Sequence, residues 1–428
     1  MMSDLNQKWW GLPIRHLGVF LVFLLMFSAG GIRLVPVFSI NLIIFAILLP
    51  VTLSVINRSG NIRILFWSLT VLASVFLLNF LINKHTATEK LYLVYSLNAL
   101  NAIQIILFYK NYTGYVFADD LYLALKIYLF HALAAFFLQF IFLELSVVYK
   151  NQTMTYKTFA YLFYYTHTNF IFYGIFNRNT GLFWEPGVLQ IFMNLTLFIA
   201  WFIRKDRIIA ILAAVAVLST FSTTGLLILA FQVAVMLASS KRRILYGVLF
   251  LPVGLFLSWL VADNVTDKVV GEQAGSFVYR AFFLEVTTNI LLQNPWFGVG
   301  PTDADQLGNI IRITEYENVL GIESDKEYLV REVSESGNSN SWLVISLAFG
   351  LPLALLFFFS LYRQTIFPDH RLLVFVILGI SLSTEAIADT SVMLLFILSA
   401  WLPGILTTRG NTHESIHRHA LLQPGRIS

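Results

Sequence analysis

NRNTGLFWEPGVLQIFMNLTLFIAWFI, residues 177–203, is the stretch on which the reading of this chain turns. A polar segment carrying Arg178 runs into Trp184-Glu185-Pro186-Gly187, and an apolar run of membrane-spanning length follows at once. Pro186 suits the first turn of a helix, where its missing N–H costs little. Glu185, just ahead of it, suits the positive end of the helix dipole. An arginine and a glutamate are thus held at the mouth of a transmembrane helix, where ionisable groups are expensive and usually have a task. Two readings stand side by side. One is capping with interfacial anchoring; the other is a phosphate-gripping guanidinium beside a carboxylate that serves as base or orienting group.

The rest of the chain sets this stretch in a membrane. It is 57% hydrophobic and only 12% charged, against about 25% charged in a soluble domain. Apolar runs near the length of a bilayer crossing recur throughout, which predicts an all-α polytopic membrane protein. The expected spans are 17–31, 34–56, 62–82, 91–109, 121–148, 185–203, 207–221, 224–240, 243–262, 341–362, 371–388 and 391–407, twelve in all. The first reads as an uncleaved helix rather than a signal peptide. The polar patch Ser219 to Gly225 is taken as the turn between the seventh and eighth. Residues 158–176 are apolar but studded with Tyr, Thr, His and Asn, so they are expected at the interface as an amphipathic or re-entrant element. The absence of Cys excludes disulfides and thiolate chemistry.

Charge gives the orientation. With the N-terminus cytoplasmic, 16 Lys and Arg fall on the cytoplasmic side and 6 in the opposite short loops. The positive-inside rule favours that arrangement, with both termini cytoplasmic. The pI reflects these basic loops and does not suggest nucleic acid. The chain then divides into helices 1–5 (1–148), an outer or interfacial segment (149–184), helices 6–9 (185–262), a long outer loop containing short helices (263–340), helices 10–12 (341–408) and a cytoplasmic tail (409–428). The long loop is acidic, with a net charge of −8.

Further candidates lie on that outer side. Arg280 sits in Phe277-Val278-Tyr279-Arg280-Ala281-Phe282-Phe283-Leu284, which reads as an amphipathic helix to about Leu292. Asn294-Pro295-Trp296-Phe297-Gly298-Val299-Gly300-Pro301 then breaks it. Arg280 is either a snorkelling interfacial side chain or a second cation at the same site. Asn340-Ser341 opens the tenth span as an ordinary cap. Glu385 and Asp389, near the outer end of the eleventh, are read as catalytic, ion-coupling or interfacial. No spacing suggests a zinc site, a phosphate-binding P-loop or a Gly-x-Ser-x-Gly elbow.

In order, Arg178 to Gly187, Ser222-Thr223-Thr224-Gly225, Arg280 with Asn294-Pro295-x-Phe-Gly-Val-Gly, and Asn340-Ser341-Trp342-Leu343 with Gly350 resemble the O-antigen polymerase and O-antigen ligase superfamily. The resemblance implies a GT-C-like glycosyltransferase acting at the periplasmic face of the bacterial inner membrane, with no metal and no cofactor. Its donor and acceptor would be glycans on undecaprenyl pyrophosphate, with a chain-length regulator and a flippase as further partners. The resemblance gives Arg178 and Arg280 the stabilisation of the pyrophosphate leaving group and makes Glu185 the candidate base. Arg312, Arg331, Asn340, Thr224, Glu385 and Asp389 are then candidates for glycan or phosphate contact. Ligases of the superfamily typically carry His before this Asn; here it is Ser339, which favours a polymerase. The alternatives are a ligase moving finished glycan to lipid A core or protein, and a lipid-linked oligosaccharide flippase. Transporters more often carry ionisable residues near the midplane.

Overall fold

The structure, a computed structural model, describes residues 8–9, 12–31, 37–56, 61–111, 117–150, 155–166, 170–171, 176–239, 274–313, 340–402 and 406. Two short strands, β1 (Lys8–Trp9) and β2 (Leu12–Pro13), precede α1 (Ile14–Ser28). The first half continues with α2 (Val37–Ile56), α3 (Asn61–Asn83), α4 (Glu89–Asn111), α5 (Phe117–Phe137) and the single turn α6 (Gln139–Glu144). Strands β3 (Val147–Lys150), β4 (Thr155–Phe159), β5 (Phe163–Thr166), β6 (Phe170–Ile171) and β7 (Phe176–Asn177) follow. The second half holds α7 (Pro186–Phe198, extended by a π-helical turn to Arg204), α8 (Arg207–Thr220), α9 (Thr223–Ala238), α10 (Ala274–Gln293), α11 (Ala304–Ile313), α12 (Ser341–Tyr362), α13 (Arg371–Leu382) and α14 (Ser391–Ser399).

Among the described residues, five helices, Ile62–Asn83, Glu89–Asn111, Phe117–Phe137, Pro186–Arg204 and Ser341–Tyr362, are long and apolar enough to cross a membrane. Shorter apolar helices accompany them at His16–Ser28, Phe38–Ser54, Arg207–Thr220 and Thr223–Ala238. The chain is a mostly helical, multi-pass membrane protein. Each expected span contains a helix except 243–262, which lies outside the described residues.

Apolar burial alone cannot hold such helices together, because lipid tails are as apolar as leucine; packing and interhelical hydrogen bonds do so. α3 turns Ile62, Phe66, Trp67, Val71 and Leu78 outward. α4 instead buries Asn98, Asn101 and Gln104 along one face. Asn101 Nδ2 donates to Asn41 O on α2 (2.9 Å), and Ser391 Oγ on α14 donates to Asn98 Oδ1 (3.2 Å). Between α7 and α9, Gln232 Nε2 donates to Asn194 Oδ1 (3.0 Å) and Asn194 Nδ2 to Gly225 O (3.3 Å). Each such bond contributes about 0.6–2 kcal/mol in lipid.

Contacts between helix ends sort into two sets. At one end, Arg204 pairs with Asp119, Tyr122 OH donates to Asp206 Oδ2 (3.1 Å), and Thr365 N donates to Ser399 Oγ (3.1 Å). At the other, Trp184 N donates to Gly30 O (3.0 Å) and Thr86 Oγ1 to Val299 O (2.6 Å). Arg178 and Glu385 belong to this second end.

Four expectations are corrected. The described part of 158–176 is strand rather than an amphipathic or re-entrant element, since β3, β4 and β5 form an antiparallel meander. Its alternation is of period two: Tyr156 and Thr158 turn inward while their neighbours on β4 are half-buried. The expected span 121–148 ends at Phe137, breaks at Leu138 and passes through α6 into β3. The expected span 371–388 stops at Leu382, where Ser383 N bonds back to Gly379 O and Ile380 O, and α14 ends at Ser399, short of 407.

α12 is broken at Gly350 (φ 79°, ψ 169°), and the gap is filled by residues 294–299. In an unbroken helix Leu351 N would bond Leu347 O. Here Leu351 N donates to Pro295 O (2.8 Å), and Leu347 O accepts from Val299 N (2.8 Å). Pro352 has no N–H for Ala348 O; that carbonyl accepts from Asn79 Nδ2 (3.2 Å). Asn79 Nδ2 also donates to Phe297 O (2.8 Å). A Cβ on Gly298 (φ +63°) would strike Leu347 O, and one on Gly350 would strike the Trp296 carbonyl. Beside this junction, Phe282, Phe283, Val286 and Ile290 of α10 pack on Val299, Leu307, Ile311 and Leu347.

Gly350→Ala and Gly298→Ala are each expected to lower the midpoint of thermal unfolding in detergent, at a cost of about 1–3 kcal/mol or more from backbone strain and collision. Leu355→Ala, on the outward face of α12, is expected to leave the midpoint nearly unchanged.

Candidate functional site

The segment between β7 and α7 is stapled on three sides. Asn179 Nδ2 donates to Ala132 O of α5 (2.9 Å) and Ser219 Oγ of α8 (2.8 Å), and its Oδ1 accepts from Gly181 N (3.0 Å). Asn177 N donates to Gln139 Oε1 (2.9 Å). Phe183 is fully buried, stacked between Tyr128 (5.0 Å between centroids) and Phe192 (4.9 Å). Phe183 also forms a bridge with Gly31. Arg178 and Glu185 therefore sit at fixed points on a rigid frame.

Arg178 Nε donates to Thr220 O (2.9 Å) and Nη2 to Phe221 O (3.2 Å). These are carbonyls at the C-terminus of α8, where a cation is electrostatically favoured. Phe221 adopts the left-handed conformation (φ 48°) that ends the helix. Two of the five guanidinium N–H groups are thus used to fix its plane. Burial lowers the Arg178 pKa from its ordinary value; Glu185 and Glu385 oppose that, and Arg280 adds to it.

Glu185 is the N-cap residue of α7, extended at φ −149° and ψ 160°, and its side chain makes no capping bond. Its carboxylate is directed to Glu385 instead. The meeting needs Gly187, where a Cβ would collide with Glu385 Oε1 and lie 3.0 Å from Glu185 Oε1. Glu385 is 5% exposed, and its Oε2 is buried with no hydrogen-bond partner among the described residues. Burial, then the Glu185 charge and hydrogen bond, push the Glu385 carboxyl well above the usual carboxylate range, while Arg280 and Arg178 pull it back. Arg280, exposed on the early turns of α10, completes the group.

The loop carrying Glu385 is held by one hydroxyl. Ser341 Oγ donates to Glu385 O and accepts from Ile387 N (2.9 Å) and Ala388 N (3.1 Å). Asn340 Oδ1 caps the same helix, accepting from Trp342 N (2.9 Å) and Leu343 N (3.2 Å).

Arg178, Glu185, Arg280 and Glu385 thus converge at one end of the bundle. Asp389 does not join them; it lines an apolar cavity of about 210 Å³ with Tyr95, Phe349 and Trp401. Burial pushes its carboxyl up to about 6. Thr224 is half-buried in the first turn of α9, beside the cap bond from Gly225 N to Ser222 Oγ (3.3 Å). Arg312 lies on α11 with its side chain outside the described set, and Arg331 is outside the described residues. Among the described residues no cluster of three or more His, Cys, Asp or Glu is placed to hold a metal ion. Sequence reasoning passed over Gly187 and Ser341, whose contributions depend on neighbours about 200 and 45 residues away; only the Trp-Glu-Pro-Gly context of Gly187 marked its position.

Two guanidiniums and two carboxyls gathered at one end of the bundle suit an anionic group that must be gripped while a proton is moved nearby. Neither a curated protein nor a solved structure matches the chain. Residues 208–358, from α8 into α12, match the family model described as O-antigen ligase, and by this domain the chain matches the O-antigen polymerase and ligase superfamily.

Proposed function

We propose that the protein is a polysaccharide polymerase of the bacterial inner membrane, working at the periplasmic face on glycans carried by undecaprenyl pyrophosphate. The observation that carries this reading is the convergence of Arg178 and Arg280 on a carboxyl pair. In the reaction an acceptor sugar hydroxyl attacks the anomeric carbon of the donor. The new glycosidic C–O bond forms as the bond to the pyrophosphate breaks. Negative charge grows on the leaving diphosphate, and preorganised guanidiniums stabilise it without a metal. Glu185 takes the hydroxyl proton. Arg178 is already oriented by two carbonyls, so little ordering remains when the phosphate arrives. Ser339, standing where ligases of the superfamily typically carry His, favours polymerase over ligase. The family description names the ligase, so transfer of finished glycan to lipid A core or protein is the second reading.

A deletion strain distinguishes the two. The polymerase reading expects single repeat units and no long chains; long chains accumulating on the polyprenyl carrier would establish the ligase instead. Arg178→Ala and Arg280→Ala are each expected to reduce chain assembly by about 10²–10³-fold, the range for removing one charge-stabilising donor. Both proteins should still insert, as checked by membrane fractionation. Full assembly in both would remove the phosphate argument.

Gly187→Ala is expected to lower assembly strongly, because its methyl group takes the space of the Glu385 carboxyl. Combining it with Glu385→Ala relieves the collision and should restore the thermal midpoint but not activity.

A further inference from the structure

Glu185 and Glu385 approach from different elements, one at the head of α7 and one in the loop after α13. Their oxygens flank the bare Cα of Gly187. Two carboxylates that close, in a largely buried site, cannot both be ionised; one proton is shared between them. The environment says which group holds it. Glu385 is the more buried of the two, and its Oε2 has no donor among the described residues. A buried carboxylate oxygen without a donor is costly, whereas a neutral carboxyl is much less so. Glu185 is half-buried. Among the described residues, the other charged groups acting on the pair are Arg178, from the segment before α7, and Arg280, from α10. With one proton between the acids, two guanidiniums face one negative charge, which leaves the site net positive for an anionic ligand.

We propose that Glu385 and Glu185 form a proton-sharing acid pair in which Glu385 holds the proton and donates it as a hydrogen bond to the Glu185 carboxylate. Glu385 is then a positioning residue. It orients the carboxylate that receives the acceptor proton and keeps the site from becoming doubly negative. This rests on the reaction proposed above only for its use in catalysis; the pair itself is a property of the resting protein.

Infrared difference spectroscopy of the purified full chain in detergent, titrated with alkali, reads the pair without any substrate. The expected result is a protonated-carboxyl C=O band that persists at neutral pH, disappears in Glu385→Gln and shifts in frequency in Glu185→Gln. A folded wild-type protein with no such band at neutral pH overturns the proposal, as does a band that Glu385→Gln leaves intact. In cells, Glu385→Gln keeps a donor to Glu185 and should stay within about tenfold of wild type, while Glu385→Ala falls by about 10²-fold or more. Assembly should decline as pH rises and the shared proton leaves, and Glu385→Gln should lack that alkaline decline. Glu385→Gln as inactive as Glu385→Ala overturns the donor role. A wild-type protein that shows the band yet assembles no glycan counts against the proposed reaction and leaves the pair standing.

Discussion

The exchange of backbone hydrogen bonds at Gly350 is the constraint on which the end of the bundle that holds the charged cluster depends. A transmembrane helix interrupted at glycine and followed by proline leaves carbonyls and an N–H that lipid cannot satisfy. Residues 295 to 299 supply the missing partners, and Asn79 takes the carbonyl that Pro352 orphans. The repair does more than restore hydrogen bonding. It joins α10, which carries Arg280, to α12, which carries the Ser341 anchor for Glu385. Charges from two distant parts of the chain are thereby set against one rigid junction. Glycine is required on both sides of it, because backbone meets backbone with no room for a Cβ.

The electrostatics of the cluster follow from this rigidity. Arginine is retained near the bilayer because helix-end carbonyls compensate Arg178 and carboxyls lie close by. The carboxyls in turn crowd one another, and burial favours a neutral form for the deeper of them. Neither sign could be placed here alone at tolerable cost; the four groups are affordable only as a set.

The parts of the architecture readable from sequence were those governed by local rules. The Pro186 start of α7 and the Ser222 turn before α9 rest on short-range signals, and both helices begin where those signals place them. Arg178 and Glu185 were visible together because seven residues separate them at a membrane boundary. Pairings made by long-range packing were not visible. Glu385 and Asp389 would be neighbours one turn apart on a helix. With α13 ending at Leu382, they diverge, one into the charged cluster and one into an apolar cavity. In the stretch 158–176, expected as an amphipathic or re-entrant element, the aromatic content hid the pairing of β4 with β5.

Ser341 shows how narrow a tolerance such a site imposes. Its hydroxyl gives one proton and receives two, so its capacity is full. Threonine is the other small side chain with the same capacity; alanine and cysteine, though similar in bulk, would strand two amide groups in the interior. Across descendants of this chain, drift should therefore be wide on the lipid-facing helices and nearly frozen at this one atom, with any change there matched by a rebuilt turn at 385–388.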